Sequence, residues 1–455
     1  MKNLFHLVVF GLFITFALSG WADGNDSSAP GFSVKTGGEL QTVGAAGTQK
    51  KNFMKDHPCF LTSGSITFNP EITLRNGITI SGNVGIGADA GSAVQVSPGI
   101  QQAYLSFTGK FGEIQLGNQS SAADELSIDG TSVLGGQEGA AGSLGSVFNI
   151  SGGALLQTGC GADDGIATKF IYMSPVFGGV QFGISYTPNS QALGGLQNVT
   201  NVNYQYHMAG YLMQGNLQNS IDLKSLEETA QGYTESGTKI KHNPTNPSAP
   251  PGPGQDLSNG AFYLDGITVA LVYNYGSDDR FNCSFAACGW TGRGKAQVPI
   301  SGLAVEDVMA YQVGFTLGYK GIKVAAGFTD NLKSLMNKGA ENVDNAGVKE
   351  GIKKGANMGK VITAGLSFEK GPWKVAGGYY YSTRKYAEKD DETTGQVITA
   401  TLDYKFIDGC AIFMEYDYVK TKGRSTPEKR QWCNSTNPFE DNSGNFGWIG
   451  TKISF

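Results

Sequence analysis

The chain has 455 residues, 66 of them glycine and only 16% charged, with a formal net charge of −5. That acidic balance argues against nucleic acid as a partner. Beyond residue 18 no stretch reaches the roughly 18 consecutive apolar residues of a spanning helix, which excludes an α-helical membrane protein, and the glycine content with short alternating segments fits one large all-β unit rather than several soluble domains.

Reading forward, Lys2, the apolar run 4–18 and the small residues Gly20 and Ala22 around Trp21 form a signal peptide over 1–22. The exported chain then begins at Asp23, and loss of Lys2 takes the formal charge from −5 to −6. Tight turns follow at Asn76-Gly77, 109–112, 175–178, Asp265-Gly266, Lys320-Gly321, 370–372 and Asp408-Gly409. The Asn-Gly and Asp-Gly pairs suit type I′ hairpins, which need positive φ at both central residues. Between these turns lie longer polar connections at 44–64, 89–98, 120–165, 188–258, 277–307, 330–359, 387–394 and 423–444. Seven turns alternating with eight long connections predict sixteen antiparallel strands with both termini at the short-turn end. Over 23–455 that is the pattern of a transmembrane antiparallel β-barrel in an outer membrane.

Side-chain parity tests the barrel separately, because a Lys or Arg facing mid-membrane lipid costs about 2–4 kcal/mol. One face of the strands is apolar and uncharged, for example Ile78, Ile80, Val84 and Ile86, then Ile362, Leu366 and Phe368, then Ile412, Met414 and Tyr416. The alternate face holds Lys35, Glu39, Glu71, Glu113, Lys169, Lys323, Lys374, Asp403, Lys405, Glu415, Asp417 and Lys452. A hydrated interior is the expectation. Tyr379 to Tyr381, Tyr416, Tyr418 and Trp373 fall near strand ends, where amphipathic rings favour the headgroup level.

Six cysteines in an exported chain permit disulfides. Cys283 and Cys288 share the 277–307 connection and form the expected intraloop pair. Cys59, Cys160 and Cys433 lie in three other long connections, with the choice of a pair among them open, and Cys410 sits at a turn on the opposite rim. A zinc site at Cys283 and Cys288 lacks a second ligand pair, so neither metal nor cofactor is expected. Catalysis by a positioned histidine is not expected either, since His57, His207 and His242 all fall in long connections and His6 in the signal. Inward aromatics at Tyr104, Tyr380, Phe413 and Trp448 are too dispersed for a sugar-guiding track.

The runs QAYLSFTGKFGEIQLGNQ at 102–119 and ATKFIYMSPVFGGVQFGISYTP at 167–188, separated by a long connection, resemble the strand, constriction-loop, strand passage of the general bacterial porin family. The opening strand at 31–40 and the closing strand ending in Phe455 are similar to that family too. The resemblance implies a homotrimer of sixteen-stranded barrels in outer-membrane lipid, each a passive aqueous pore for ions and small hydrophilic solutes. It places an inward-folded constriction loop at 120–165 and makes Phe455 an assembly signal. This loop carries Asp124, Glu125, Asp129, Glu138, Asp163 and Asp164 and no Lys or Arg, a charge of −6. Such a one-signed block draws cations into a narrow pore. On the opposing wall the resemblance points to Lys35, Lys169 and Gln102, the last where the family commonly has Arg, so the expected selectivity is mildly cationic. The loop tip Gly135-Gly136-Gln137-Glu138-Gly139 departs from the family's usual turn, and the 89–98 connection is short for a latch onto a neighbouring subunit. The long Pro-rich connection at 188–258 reads as a tolerated excursion. A surface adhesin or receptor on the same barrel is the competing class.

Overall fold

The computed structural model describes residues 31–50, 58–89, 99–142, 144–150, 154–156, 158–159, 165–190, 261–277, 280–296, 303–335, 337–340, 357–385, 392–423 and 441–455. The expected signal peptide over 1–22, most of the 188–258 connection, Asp163, Asp164, Cys160, Cys433 and all four histidines lie outside these residues.

The strands in chain order are β1 (Phe32–Gln49), β2 (Cys59–Thr73), β3 (Thr79–Asp89), β4 (Gly99–Gly109), β5 (Gly112–Gln119), β6 (Ala167–Met173), β7 (Val180–Asn189), β8 (Ala261–Gly276) and β9 (Phe281–Ala296). They continue with β10 (Leu303–Val305), β11 (Val308–Tyr319), β12 (Ile322–Asp330), β13 (Asn337–Ala340), β14 (Asn357–Lys370), β15 (Trp373–Lys385), β16 (Glu392–Ile407), β17 (Cys410–Lys422) and β18 (Asn442–Ser454). Sixteen of them close into one antiparallel barrel, each hydrogen-bonded to its chain neighbours, while β10 and β13 form a separate two-stranded sheet.

Alternation decides which face looks where. On β14, Ile362, Leu366 and Phe368 are exposed while Val361, Thr363 and Ser367 are buried; on β17, Ile412, Met414 and Tyr416 are exposed while Phe413, Glu415 and Asp417 are buried. With a side-chain period of two, the exposed apolar set forms one continuous outer stripe, the hydrocarbon-facing wall of a membrane barrel. Glu415 and Asp417, on the opposite parity, face the lumen.

Closure is made at the seam of β1 and β18, whose register runs from Glu39 opposite Ser454 to Gln49 opposite Gly444. The last residue extends it: the Gly38 N–H donates to the Phe455 carbonyl at 2.9 Å and the Phe455 N–H to the Gly38 carbonyl at 3.0 Å. No sheet edge is left for lipid to meet.

Two expectations need correction, and their errors offset. Asp265-Gly266 is not a hairpin; β8 runs through it with a register shift between Leu264 and Ile267. Asp265 takes a positive φ of 51° at this bulge, and its carboxylate accepts from the Tyr186 hydroxyl at 2.9 Å and pairs with Arg293. An Asp-Gly pair therefore serves an extra residue in a ladder as well as a chain reversal. The 277–307 connection is likewise mostly strand: the chain reverses near Ser277, whose carbonyl accepts from the Arg280 N–H at 3.0 Å, and enters β9. One false turn and one missed strand leave the count at sixteen. Among the tight turns, both Lys320 (48°) and Gly321 (85°) have positive φ, whereas only the glycine does so in Asn76-Gly77 and Asp408-Gly409.

The Cys283–Cys288 disulfide is also overturned. Both thiols are free, and five residues apart on β9 they project to opposite faces.

At the seam, a Cβ on Gly38 would meet the Phe455 ring at 2.6 Å and the Ser65 carbonyl oxygen at 2.7 Å. Gly38→Val is therefore expected to destabilise the folded barrel by about 1–3 kcal/mol, read as a lower denaturation midpoint in detergent. An unchanged midpoint would mean that the terminal residue contributes nothing to closure.

Candidate functional site

The described residues of the connection after β5 lie inside the barrel. This connection begins with helix α1 (Ala122–Leu126) and a 3-10 turn (Gly130–Val133), then a second 3-10 turn (Gly139–Ala141) and helix α2 (Leu144–Val147). Its local shape follows from its polar residues. Ser121 and Asp124 form a reciprocal capping box, Ser121 N–H to Asp124 Oδ2 at 3.1 Å and Asp124 N–H to Ser121 Oγ at 3.2 Å. Asp129 caps the next turn, accepting from the N–H and hydroxyl of Thr131, both at 2.7 Å.

Lumen-facing groups then hold the segment in sequence around the wall. The Ala122 N–H donates to Ser185 Oγ at 3.4 Å on β7, and Cys288 Sγ on β9 lies 3.6 Å from the Ala123 carbonyl. The Gly130 N–H donates to Thr363 Oγ1 at 2.7 Å on β14, and Lys374 Nζ on β15 donates to the Leu134 carbonyl at 2.6 Å. At the tip, Asp403 Oδ1 accepts from the Gly136 N–H at 2.8 Å, while Glu415 accepts from the N–H groups of Gln137 at 2.6 Å and Gly139 at 3.2 Å. Farther on, Tyr380 and Ser382 both donate to the Leu155 carbonyl, and Gln49 on β1 bonds to Val147 and Asn149. These attachments run from β7 round to β1.

Glycines on the inner wall make the fit close. A Cβ on Gly327 would come within 2.8 Å of Asp129, one on Gly378 within 2.8 Å of Leu134, and those on Gly314 and Gly365 would collide with the carbonyls of Ile128 and Gly130. The four lie on β11, β12, β14 and β15, and together they form a track for the backbone of 128–134. Farther along the segment, Ala140, Leu144, Val147, Phe148 and Leu155 pack with Val43, Val361, Tyr380, Val397, Phe413, Phe446 and Trp448 of the wall. The expected hydrated interior thus holds only in part. This sector is dry, and three of the four inward aromatics lie in it.

The wall from β2 to β5 carries none of these attachments and stays polar and half-exposed, with Glu71, Asn69, Asn83, Gln102, Tyr104 and Glu113 facing inward. Asn83 Nδ2 donates to Asn69 Oδ1 at 2.8 Å, and Glu113 accepts from Ser106 and, at 2.9 Å, from Gln115 Nε2.

The sequence-derived residues divide by what holds them. Asp124 and Asp129 are engaged in caps, while Glu125 and Glu138 are exposed. Although the Glu125 side chain still reaches solvent, the surrounding barrel partly desolvates its carboxyl, and this first, then the charges of Glu113 and Asp124, push it up to about 7. Lys35 is exposed and pairs with Glu71 at 3.0 Å. Lys169 is only 2% exposed and donates to the carbonyls of Gln119 at 2.7 Å and Gly165 at 2.6 Å, closing the base of the segment. Gln102 sits opposite Gly85 on the half-exposed wall. Cys288 lies buried beneath α1, Cys283 lies on the outer face, and Cys59 opens β2. The anchors Asp403, Glu415, Thr363 and Lys374 were not among the expected site residues. For Asp403 and Glu415 the signal was available as carboxylates on inward positions of adjacent strands, facing a segment rich in glycine.

Comparison with known proteins agrees with this architecture. A family model described as Gram-negative porin matches residues 11–424. An uncharacterized protein of Rickettsia bellii is 22% identical over 302 residues, covering 64% of this chain and 57% of that protein; one of Rickettsia prowazekii is 22% identical over 371 residues, covering 76% and 74%. The chain thus spans little more than half the length of the first of these relatives. In fold it is similar to OmpT of Vibrio cholerae, folded in vitro and in trimer form, with a TM-score of 0.51, 12% identity and coverage of 93% and 99%. It is also similar to Salmonella typhi OmpF in complex with daunomycin, with a TM-score of 0.50, 11% identity and coverage of 93% and 97%.

Glu415→Ala would leave the Gln137 and Gly139 amides without their acceptor, at about 1–3 kcal/mol for each orphaned group. Hydrogen exchange at these two amides is expected to accelerate roughly ten- to a hundredfold. Unchanged protection would show that other contacts hold the tip.

Proposed function

Because the chain belongs to the Gram-negative porin family of outer-membrane channels, we propose that it is a passive diffusion pore for ions and small hydrophilic solutes, mildly selective for cations. Residues 1–22 are removed on export, and the segment 120–165 narrows the lumen. Solutes pass between that segment and the polar wall of β2–β5, sieved by width and charge with no chemical step.

The observation that carries this reading is an imbalance of charge in the lumen. Three lumen lysines are ion-paired, Lys35 with Glu71, Lys452 with Glu39 at 2.7 Å and Lys405 with Glu369 at 3.6 Å, while Lys169 and Lys374 are tied to backbone carbonyls of the segment and its base. Among the described residues, Glu113, Glu125 and Glu138 take part in no ion pair. Unpaired carboxylates in a narrow passage raise the local cation concentration and repel anions. Gln102 adds no positive charge on the facing wall. A sugar-guiding track finds no support, since Tyr380, Phe413 and Trp448 are buried under the segment.

For the oligomer we propose a homotrimer whose contacts lie on the outer face of β1–β3 and β18. Gly38, Gly44, Thr62, Gly64 and Gly447 leave that face low, with an apolar groove of about 540 Å³ lined by Leu40, Ile66, Phe68, Ile86 and Phe455. Small residues let two barrels approach closely within lipid.

Reversal potentials across a planar bilayer in a salt gradient test the selectivity. With the Glu125 carboxyl titrating near 7, it is neutral on the acid side and charged on the alkaline side, so cation preference is expected to grow as pH rises through that value. Glu125→Gln should flatten this dependence, and anion preference at alkaline pH would refute the reading. Folded protein that passes no current would instead leave the receptor class standing. For the assembly, Thr62→Arg is expected to turn cross-linked trimers into monomers; intact trimers would remove this face from the interface.

A further inference from the structure

The outer wall carries a second chemically distinct place, remote from the lumen. On β17, Val419 and Thr421 are fully buried toward the interior, so Lys420 and Lys422 between and beside them are exposed on the outer face shared with Met414 and Tyr416. Lys422 is followed by the long 423–441 connection, which places both lysines at the end opposite the short turns, on the outer-leaflet side. In register, Lys422 lies opposite Thr394 and Lys420 opposite Gln396 of β16; these in turn face Thr383 and Tyr381 of β15. Thr394 and Thr383 bring two hydroxyls beside the ammonium groups. Neighbouring strands are about 4.8 Å apart and alternate residues about 6.8 Å apart, so these donors fit within the span of a phosphate and its glycerol.

Other outward-facing cations nearby are already neutralised. Lys360 pairs with Asp330 at 3.3 Å, and Lys385 pairs with Glu392 at 4.0 Å. Glu392 is the nearest outward carboxylate on β16, and Lys385 engages it. Among the described residues, Lys420 and Lys422 have no ion-pair partner. One pleat from Lys420 toward the membrane centre Tyr418 and Tyr379 flank Ile398, and one pleat farther lies Tyr416, its hydroxyl donating to Asn445 at 2.7 Å; these rings mark the headgroup level. Two unneutralised ammonium groups just above that level, on a lipid-facing wall, call for an anion supplied by the membrane.

We propose that Lys420 and Lys422, with Thr394, Thr383 and Gln396, bind the phosphate of an outer-leaflet lipid headgroup. The acyl chains of that lipid lie along the apolar outer stripe below. The lysines point away from the lumen, so conduction does not depend on them, and failure of this inference is separable from failure of the pore reading.

The test uses the full-length folded protein in neutral detergent, with lipid retention read by native mass spectrometry for phosphatidic acid, for diacylglycerol of the same chains and for inorganic phosphate. Phosphatidic acid is expected to bind and diacylglycerol not to bind. At the strength of a basic residue near a membrane surface, the double variant Lys420→Gln with Lys422→Gln should weaken retention roughly thirtyfold, and Lys422→Gln alone roughly fivefold. The corresponding Arg variants should keep it. Reversal potential and single-channel current of the double variant should match the wild type. Equal retention by the Gln variants, equal retention of diacylglycerol, or displacement of the lipid by inorganic phosphate at equal concentration would each overturn the proposal. A change in current would do so too, by placing the lysines in the conduction path.

Discussion

Hydrocarbon offers no partner for an exposed peptide group, and that single constraint shapes the chain from end to end. Every strand must find two neighbours, so the first and last strands must find each other, and the hydrogen bonds between Gly38 and Phe455 complete the ring. Once the ring is closed, a side-chain period of two sorts each residue to lipid or to lumen. Ile412 and Met414 face out for the same reason that Phe413 and Glu415 face in. The polar face follows from closure and has no separate cause.

A closed cylinder must then decide what fills it. Here the connection after β5 lies against most of the inner wall, held by carboxylates that accept backbone N–H groups and by apolar contacts around Phe148 and Trp448. Asp417 joins the wall side of this arrangement, accepting from Thr399 at 2.6 Å and from Trp448 Nε1 at 2.7 Å. Hydrogen bonds made in such a water-poor setting fix position as well as energy. The lumen consequently has a dry, built side and a wet, open side, and Glu125 lies near enough to Glu113 of the wet side for their charges to interact.

Much of this was legible in the sequence. The parity of Ile362, Leu366 and Phe368 against Thr363 and Ser367 requires only a count by twos, and the 120–165 segment was recognisable from its flanking strands. What escaped was less local. Asp265-Gly266 carries the composition of a hairpin, yet the pairing of Leu264 with Arg293 and Ile267 with Thr291 makes it a bulge, a fact that resides in the partner strand. Cys283 and Cys288 sit close in sequence, and only the extension of β9 sends them to opposite faces. Lys169 reads as a pore-lining charge by parity but is buried by the segment it helps to close. The anchors Asp403 and Glu415 were visible as inward carboxylates; their partners are main-chain amides, which have no signature in sequence.

The track of inner-wall glycines bears on how such a channel could diversify. Because Gly314, Gly327, Gly365 and Gly378 admit the main chain of 128–134 against the wall, and Asp403 and Glu415 grip main-chain amides at the tip, the seating of this part of the segment does not depend on its exposed carboxylates. Glu125 and Glu138 are ornaments on a rail that would stay where it is if they were exchanged. A lineage could reverse the sign of its passage by a few such exchanges while leaving the architecture untouched, whereas a single methyl added to the rail bed would shift the rail itself.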